Sequence, residues 1–518
     1  MSLKQVSPAA AFLAAAVVGA SVAATVSPPV SRGDVHWLDR VTYGVNAPTL
    51  ARYRQLGREK FLDEQLQATP PDPRPLAAEI AAIPVTQRSA ADVIKANRAE
   101  QQRINALTNE EEKQQGRRAF NQSGNEAVYE TMKRHLTRAV ESPWQLREQM
   151  TWFWMNHFSV FQGKANIRWT LAEYEETVRA HALGKFSDLV VATVTSPAML
   201  EYLDNAQSSV GKINENYARE LMELHTLGVS GGASGSRYTQ TDVQELARVL
   251  TGVGVNFAGT EPKLAPARQR LYVHRGLFEF NPARHDFNSK TVLGTSVTDT
   301  DGLDEVERTV TMLCRQPATA RFISNKLATY FVADQPPARL VDRMTATFQK
   351  TDGSIAAVLR TMFLDKDFLA ALNAPAASLE KFKDPMQFVV SSLRVAYENK
   401  TITNYHAVTG WLQQLGEPLY GRVTPDGYPL TEAAWTSSGQ MVRRFEIARA
   451  IGSGSAGLFN AEDNKPGPSV GFPMLTTRLF YDAIEPMLGD KTRNALNRAT
   501  SQQEWNTVLL ASPEWMFR

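Results

Sequence analysis

The sequence predicts a mainly α-helical protein: a single large multi-helix domain with a small β-hairpin or ribbon insertion at about 257–294. Three observations carry this. Apolar residues recur at helical spacing along most of the chain. The composition, 43% apolar and 21% charged, suits a globular protein with a substantial core. The stretch Phe257 to Leu293 breaks the helical period and shows short alternating runs instead. At 518 residues there is length for one large domain or two to three ordinary ones, and no repeat or cut point separates self-sufficient halves.

The elements follow in order. Lys4, the Ala- and Val-rich run Ala9 to Ala24 and the small residues Val22-Ala23-Ala24 have the layout of a signal peptide, residues 1–24, cleaved near Ala24. Export to the periplasm or beyond is the expectation, with no membrane span in the mature chain, because no later stretch is long and apolar enough. Residues 25–125 read as an N-terminal helical segment. It has short helices over Val35 to Tyr43, Pro48 to Tyr53 and Arg58 to Leu66, a proline stop at Pro70 to Pro75, and a polar excursion at 91–122, an exposed helix or lid. Residues 126–518 read as the core helical domain. Its first helices are Met132 to Val140 and Pro143 to Phe161, the latter so apolar that it is expected to be buried all round. Trp169 to Leu183 and Phe186 to Val194 follow, and Ser196-Pro197 starts another helix with proline in its first turn.

The centre of the chain is Asn214 to Gly228, a helix capped by Asn214 or Asn216 and stopped at Gly228. Tyr217, Leu221, Leu224 and Leu227 form its core stripe, while Asn216, Glu220 and Glu223 share another face. Thr241 to Gln244 reads as a capping box opening the next helix. After the ribbon come helices over Val306 to Cys314, Thr319 to Val332, Leu340 to Gln349, Ile355 to Met362 and Pro385 to Tyr397. A Gly- and Pro-rich loop spans Leu415 to Trp435, and helices then resume to the end.

Charge and cysteine usage exclude several classes. The chain has 56 basic and 54 acidic residues, scattered and balanced to a net +2, so it carries no nucleic-acid footprint. Cys314 is the only cysteine, which rules out internal disulfides and cysteine-rich metal or haem motifs; it reads as buried and inert. Three motif matches fail on context. Gly228-Val229-Ser230-Gly231-Gly232 follows a helix where a nucleophile elbow needs a strand. Gly452 to Gly457 matches the dinucleotide fingerprint but also follows a helix. Ser378-Leu379-Glu380-Lys381 lacks the companion motifs of its pattern.

The residues that could carry chemistry are a His, an Asn and carboxylates on several motifs. His157, Glu220, Glu223, His285 and Asp286 are the catalytic candidates, with Asn156, Asn205, Asn216, Arg219 and Lys290 as substrate-binding candidates and Asp204 beside them. His157 or His285 would serve as base or metal ligand, Glu220 or Glu223 as acid or ligand, and Arg219 as anion anchor. The bland alternatives are a satisfied core histidine at His157, a solvated face of i,i+4 pairs at Glu215, Arg219 and Glu223, and a turn capped by Asp286. The cofactor is left open, with a divalent metal as the candidate these residue types offer. The central helix lacks the Glu-x-x-His pair of di-iron bundles.

Several motifs in this order resemble one bacterial exported family, the domain of unknown function numbered 1800. They are Phe153 to Phe158, Ala182 to Phe186, Pro197 to Asn205, the central helix, Tyr238-Thr239-Gln240, His285-Asp286 with Lys290 to Gly294, Lys383-Asp384-Pro385 and Ala511 to Trp515. The resemblance runs from about Trp37 to the C-terminus. It implies an exported, mainly helical protein, often encoded beside a sulfatase-like or phosphatase-like partner, and supplies no established reaction. The family usually has histidine where this chain has Met155, and often an aromatic residue at the position of His225. Two functions stand: a hydrolase- or transferase-type enzyme acting on an extracytoplasmic substrate, or a non-catalytic assembly or carrier partner. Convergence of His157, Glu220, Glu223 and His285 on one open pocket would separate them.

Overall fold

The computed structural model describes residues 30–229, 238–297, 302–373, 380–398, 400–462, 467 and 470–518. The expected signal peptide, Ser230 with the glycines after it, and Ser378-Leu379 lie outside these residues. The architecture is mainly α, with two small antiparallel sheets set between helices in the middle of the chain. The main hydrophobic core runs from Val35 and Trp37 near the start to Trp515 and Met516 at the end, with a small separate cluster of Leu76, Ile80 and Ile83.

Local chemistry explains the helices that frame the centre. Helix α1 (Arg32–Val41) opens on a capping box made by Ser31 and Asp34. The polar excursion is helical: α2 (Ala90–Ala106) is capped by Ser89, and α3 (Glu110–Glu141) by Asn109, with Glu110, Glu111 and Glu112 on its electropositive end. Only the second half of α3 is extensively buried. Helix α4 (Gln145–His157) is buried at every position, as its apolar run requires. Helix α5 (Ile167–His181) packs against both.

Buried arginines stitch these three helices together. Arg134 of α3 donates from Nε to Glu175 of α5 at 3.1 Å and from Nη2 to the Ala172 carbonyl at 2.5 Å. Arg179 of α5 grips Glu148 of α4 with two bonds, of 2.9 and 2.8 Å, and Asp72 takes Arg147 at 2.6 Å and Arg179 at 3.0 Å.

Helix α6 (Pro197–Tyr202) starts with proline in its first turn. The central helix departs from a regular α-helix. Asn214 is its cap, α7 covers Glu215–Glu220, and Leu221–Thr226 is a π-helix. There the Leu227 N–H reaches back five residues to the Met222 carbonyl at 2.7 Å, and the Thr226 hydroxyl bonds the Leu221 carbonyl. The wider turn buries Met222 and His225 and leaves Leu224 half-exposed, so the stripe differs from the expected one. The next helix, α8 (Gln240–Val249), is capped by Thr239 with Asp242 rather than by Thr241; the capping box sits earlier because Asp242 reaches back to the Thr239 backbone.

The β insertion extends past its expected limits. Strands β1 (Val253–Val255), β2 (Val273–Arg275) and β3 (Phe278–Phe280) form an antiparallel sheet in the order β1-β3-β2. Strands β4 (Lys290–Val292) and β5 (Thr295–Val297) form a separate hairpin. Its turn, Leu293-Gly294, has φ of +52° and +74°, the left-handed pair that a two-residue hairpin turn demands. Alternation along β4 buries Lys290 and Val292 and exposes Thr291. Helices α9 (Leu303–Cys314) and α10 (Pro317–Phe331) then close over the centre. Cys314 is buried, and burial pushes its thiol pKa up. Among the described residues no helix is long and apolar enough to cross a membrane.

Candidate functional site

The C-terminal end of α4 positions two polar side chains, each with a definite task. His157, 1% exposed, lies with Nε2 3.1 Å from the His225 carbonyl and Nδ1 2.8 Å from Lys326 Nζ on α10. An ammonium can only donate, so Nδ1 accepts and the ring proton sits on Nε2, donated to the carbonyl. Burial, then the Lys326 charge and His225, hold the His157 pKa well below its usual value, so the ring is neutral. Asn156 pins a loop. Its Oδ1 accepts from the Tyr428 N–H at 2.5 Å, and its Nδ2 donates to the Tyr428 carbonyl at 3.0 Å.

That loop carries Asp426, held by Arg422 at 2.9 Å and Thr424 at 2.5 Å, and the Tyr202 hydroxyl donates to Val423. Gly427 packs so closely on α4 that a Cβ there would lie 2.1 Å from the Asn156 carbonyl oxygen, and its φ of +75° disfavours other residues. Gly427→Ala is therefore expected to cost about 1–3 kcal/mol and to lift the loop. The check is urea unfolding plus hydrogen exchange at Tyr428; unchanged exchange would show that the loop is not pinned here.

Lys326 is half-buried, and burial lowers its pKa to about 8 against an opposing pull from Asp426. Asp426 is also felt by Glu220, whose carboxyl is raised by burial, by Glu223 and by Asp426, with Arg219 opposing. Four elements thus meet: the end of α4, the π-helix, α10 and the 421–428 loop. The result is an amine backed by a neutral imidazole, with Asp426 acting on both the amine and Glu220. Glu220 and Glu223 are half-buried, and Arg219 bonds Gln240 at 2.6 Å while lying 3.8 Å from Glu223. Glu215 bonds Gln240 and Gln244. Asn216 is exposed.

His285, Asp286, Lys290 and Asn205 belong to a different network, which fastens the β insertion. His285 Nδ1 donates to the Thr251 carbonyl at 2.7 Å, and Nε2 lies 3.7 Å from Glu305. Glu305, on α9, takes Lys290 of β4 at 2.5 Å, with all three residues at most 2% exposed. Burial would raise the Asp286 carboxyl, but bonds from Arg248 and from the Asn288 backbone and side chain overcome it and hold it at about 2. That is a capped turn. Asn205 donates to the Leu250 and Val253 carbonyls, tying α8 to β1. Asp204, exposed and left-handed at φ +61°, pairs with Lys164 at 2.8 Å.

Two cavities, of about 420 and 720 Å³, lie elsewhere, and neither is lined by His157, Glu220, Glu223 or His285. Among the described residues no group of three or more His, Cys, Asp or Glu is arranged to hold a metal ion.

The family of proteins of unknown function DUF1800 matches residues 36–517, nearly the whole chain. The chain belongs to that family. No curated protein and no solved structure matches it. Met155 is buried, and the His225 ring lies 5.1 Å from Phe158, edge-on. Neither ring nitrogen of His225 has a hydrogen-bond partner among the described residues, and burial and Lys326 lower its pKa to about 3. Sequence reasoning missed Lys326 and Asp426. The available signals were a lysine flanked on α10 by the buried Ile323, Leu327 and Tyr330, and an Asp-Gly pair in the glycine-rich loop.

Proposed function

We propose that this DUF1800 protein is an exported hydrolase- or transferase-type enzyme whose acid–base site is centred on Lys326. The observation that supports this reading is the 2.8 Å contact between the half-buried Lys326 and the neutral ring of His157, with the Asp426 charge pulling on the amine. An amine with a pKa near 8 can give up its proton at neutral pH and serve as a general base, which an ordinary lysine cannot. In this reading neutral Lys326 takes the proton of an attacking water or substrate hydroxyl. Glu220, raised by burial and by its carboxylate neighbours, returns one to the leaving group. His157 and Asn156 are positioning residues, the first for the amine and the second for the Asp426 loop.

The test needs no substrate. Competitive acetylation of the folded protein, read by mass spectrometry, is expected to titrate Lys326 with a midpoint of about 8. A midpoint near the ordinary 10.5 would sink the assignment.

Two observations favour the second reading, a non-catalytic partner of a co-exported sulfatase-like or phosphatase-like protein: His157 and His285 lie in separate networks instead of converging with Glu220 and Glu223 on one open pocket, and His157, His225 and His285 are all sealed from solvent. Under it these polar groups fix helix packing. Turnover by the purified protein of any ester or glycoside, lost in Lys326→Met, decides for the enzyme.

A further inference from the structure

The polar excursion that precedes the core walls a cavity of its own. Helix α2 lies over α3 and α5, and a cavity of about 720 Å³ opens between them and the 85–89 segment. That volume falls within the range of small-molecule sites. Among the described residues, three wall residues carry buried polar atoms without a hydrogen-bond partner: Asn97 Nδ2, Glu130 Oε2 and Arg138 Nε. Arg138 is 5% exposed; its Nη1 is held by Glu176 at 2.7 Å, and its Nε makes a long ion pair, of 3.9 Å, with the Asp72 carboxylate but no hydrogen bond. Leaving such groups dry and unpaired is costly, so a ligand with hydroxyl groups fits them better than an apolar one.

The rest of the wall narrows the chemistry. Trp169 is half-buried in it, and Phe120 braces the indole from 5.5 Å. Val93, Ala96 and Ala127 make the neighbouring surface small and apolar. An aromatic plate beside planar amide, carboxyl and guanidinium groups suits a ring with one C–H face and a rim of vicinal hydroxyls. The wall also holds three arginines against four glutamates, so it offers a multiply charged anion or cation no net attraction.

We propose that the cleft between α2, α3 and α5 is a binding site for a neutral sugar, a mono- or disaccharide unit, with Trp169 as stacking platform and Asn97, Glu130 and Arg138 as hydroxyl partners. The site stands apart from Lys326 and does not depend on the acid–base reading.

The experiment is saturation-transfer NMR on the full chain with glucose, galactose, N-acetylglucosamine, maltose, cellobiose and chitobiose. At least one is expected to receive transfer. Trp169→Ala and Asn97→Leu are each expected to weaken its binding about tenfold or more, while Trp169→Phe keeps most of it. Asn97 lies on the outer helix, and circular dichroism of Asn97→Leu confirms an intact fold. The proposal is overturned if no sugar receives transfer, if binding survives both truncations, or if a sulfated or phosphorylated counterpart binds about tenfold better than the neutral sugar.

Discussion

Replacing Glu148 by alanine is expected to destabilise the protein by about 3–5 kcal/mol, because it strands buried guanidinium groups without their carboxylate. Glu148 is 1% exposed and receives two bonds from Arg179, of 2.9 and 2.8 Å, and a longer one of 3.3 Å from Arg147. Asp72 remains to Arg147 and Arg179, but one carboxylate cannot neutralise both. Burial alone would raise the Glu148 pKa; Arg179, Arg147 and Arg138 outweigh it and hold it at about 2. A carboxyl lowered from 4.5 in this way contributes stability that is full above the unfolded value. That contribution, about 3 kcal/mol, is lost as pH falls from about 4.5 towards 2. The urea midpoint should therefore drop through that window in the wild type and far less steeply in Glu148→Ala. Glu148→Gln, which keeps the shape without the charge, should show the same flattened pH dependence. If both variants unfold within about 1 kcal/mol of wild type at pH 7, the three-helix stitch is not a principal support of the fold.

What was legible in the sequence was what short-range chemistry decides. Ser196-Pro197, the Asn214 cap and the aromatic-rich run before Asn156 announce their helices locally, and the loss of helical period announces the ribbon. The π-helix at Leu221–Thr226 is not announced, since its Leu227-to-Met222 bond competes by a small margin with the ordinary α pattern and packing tips the balance. The capping box was misplaced for a related reason. Thr239 and Thr241 are both good caps, and Asp242 chooses between them by geometry.

The candidate site divides in the same way. Asn156 and His157 stood out because a buried polar group must find a partner, yet the partners lie 272 and 169 positions away at Tyr428 and Lys326. His285 and Asp286 stood out equally, and their surroundings turned out to be the Thr251 carbonyl, Glu305 and Arg248 of a structural joint. Polarity in an apolar context marks a residue as constrained. Only the tertiary partner separates a residue that holds the fold from one that holds a reactive group.

Lys326→Met is expected to move activity and stability in opposite directions, which a packing role would not do. If Lys326 is the base, the variant loses about 10²–10⁴-fold in turnover, and Lys326→Arg does not restore it, because a guanidinium does not give up its proton. Stability should rise. A lysine held at about 8 against 10.5 in the open chain binds fewer protons folded than unfolded between those values. Below pH 8 the folded state therefore carries a charge in an unfavourable place, at a cost of up to about 3 kcal/mol before solvent screening. Removing it also removes the bond to His157, returning about 1 kcal/mol of that gain. The net expectation at pH 7 is a variant about 1–2 kcal/mol more stable than wild type. Because wild-type stability climbs as pH rises from 8 to 10.5, the advantage of Lys326→Met should shrink across the same interval. Urea midpoints at pH 7 and pH 10 measure both signs. A variant less stable than wild type at pH 7 would place Lys326 among the groups that hold α10 to α4, and the catalytic reading would lose its physical basis.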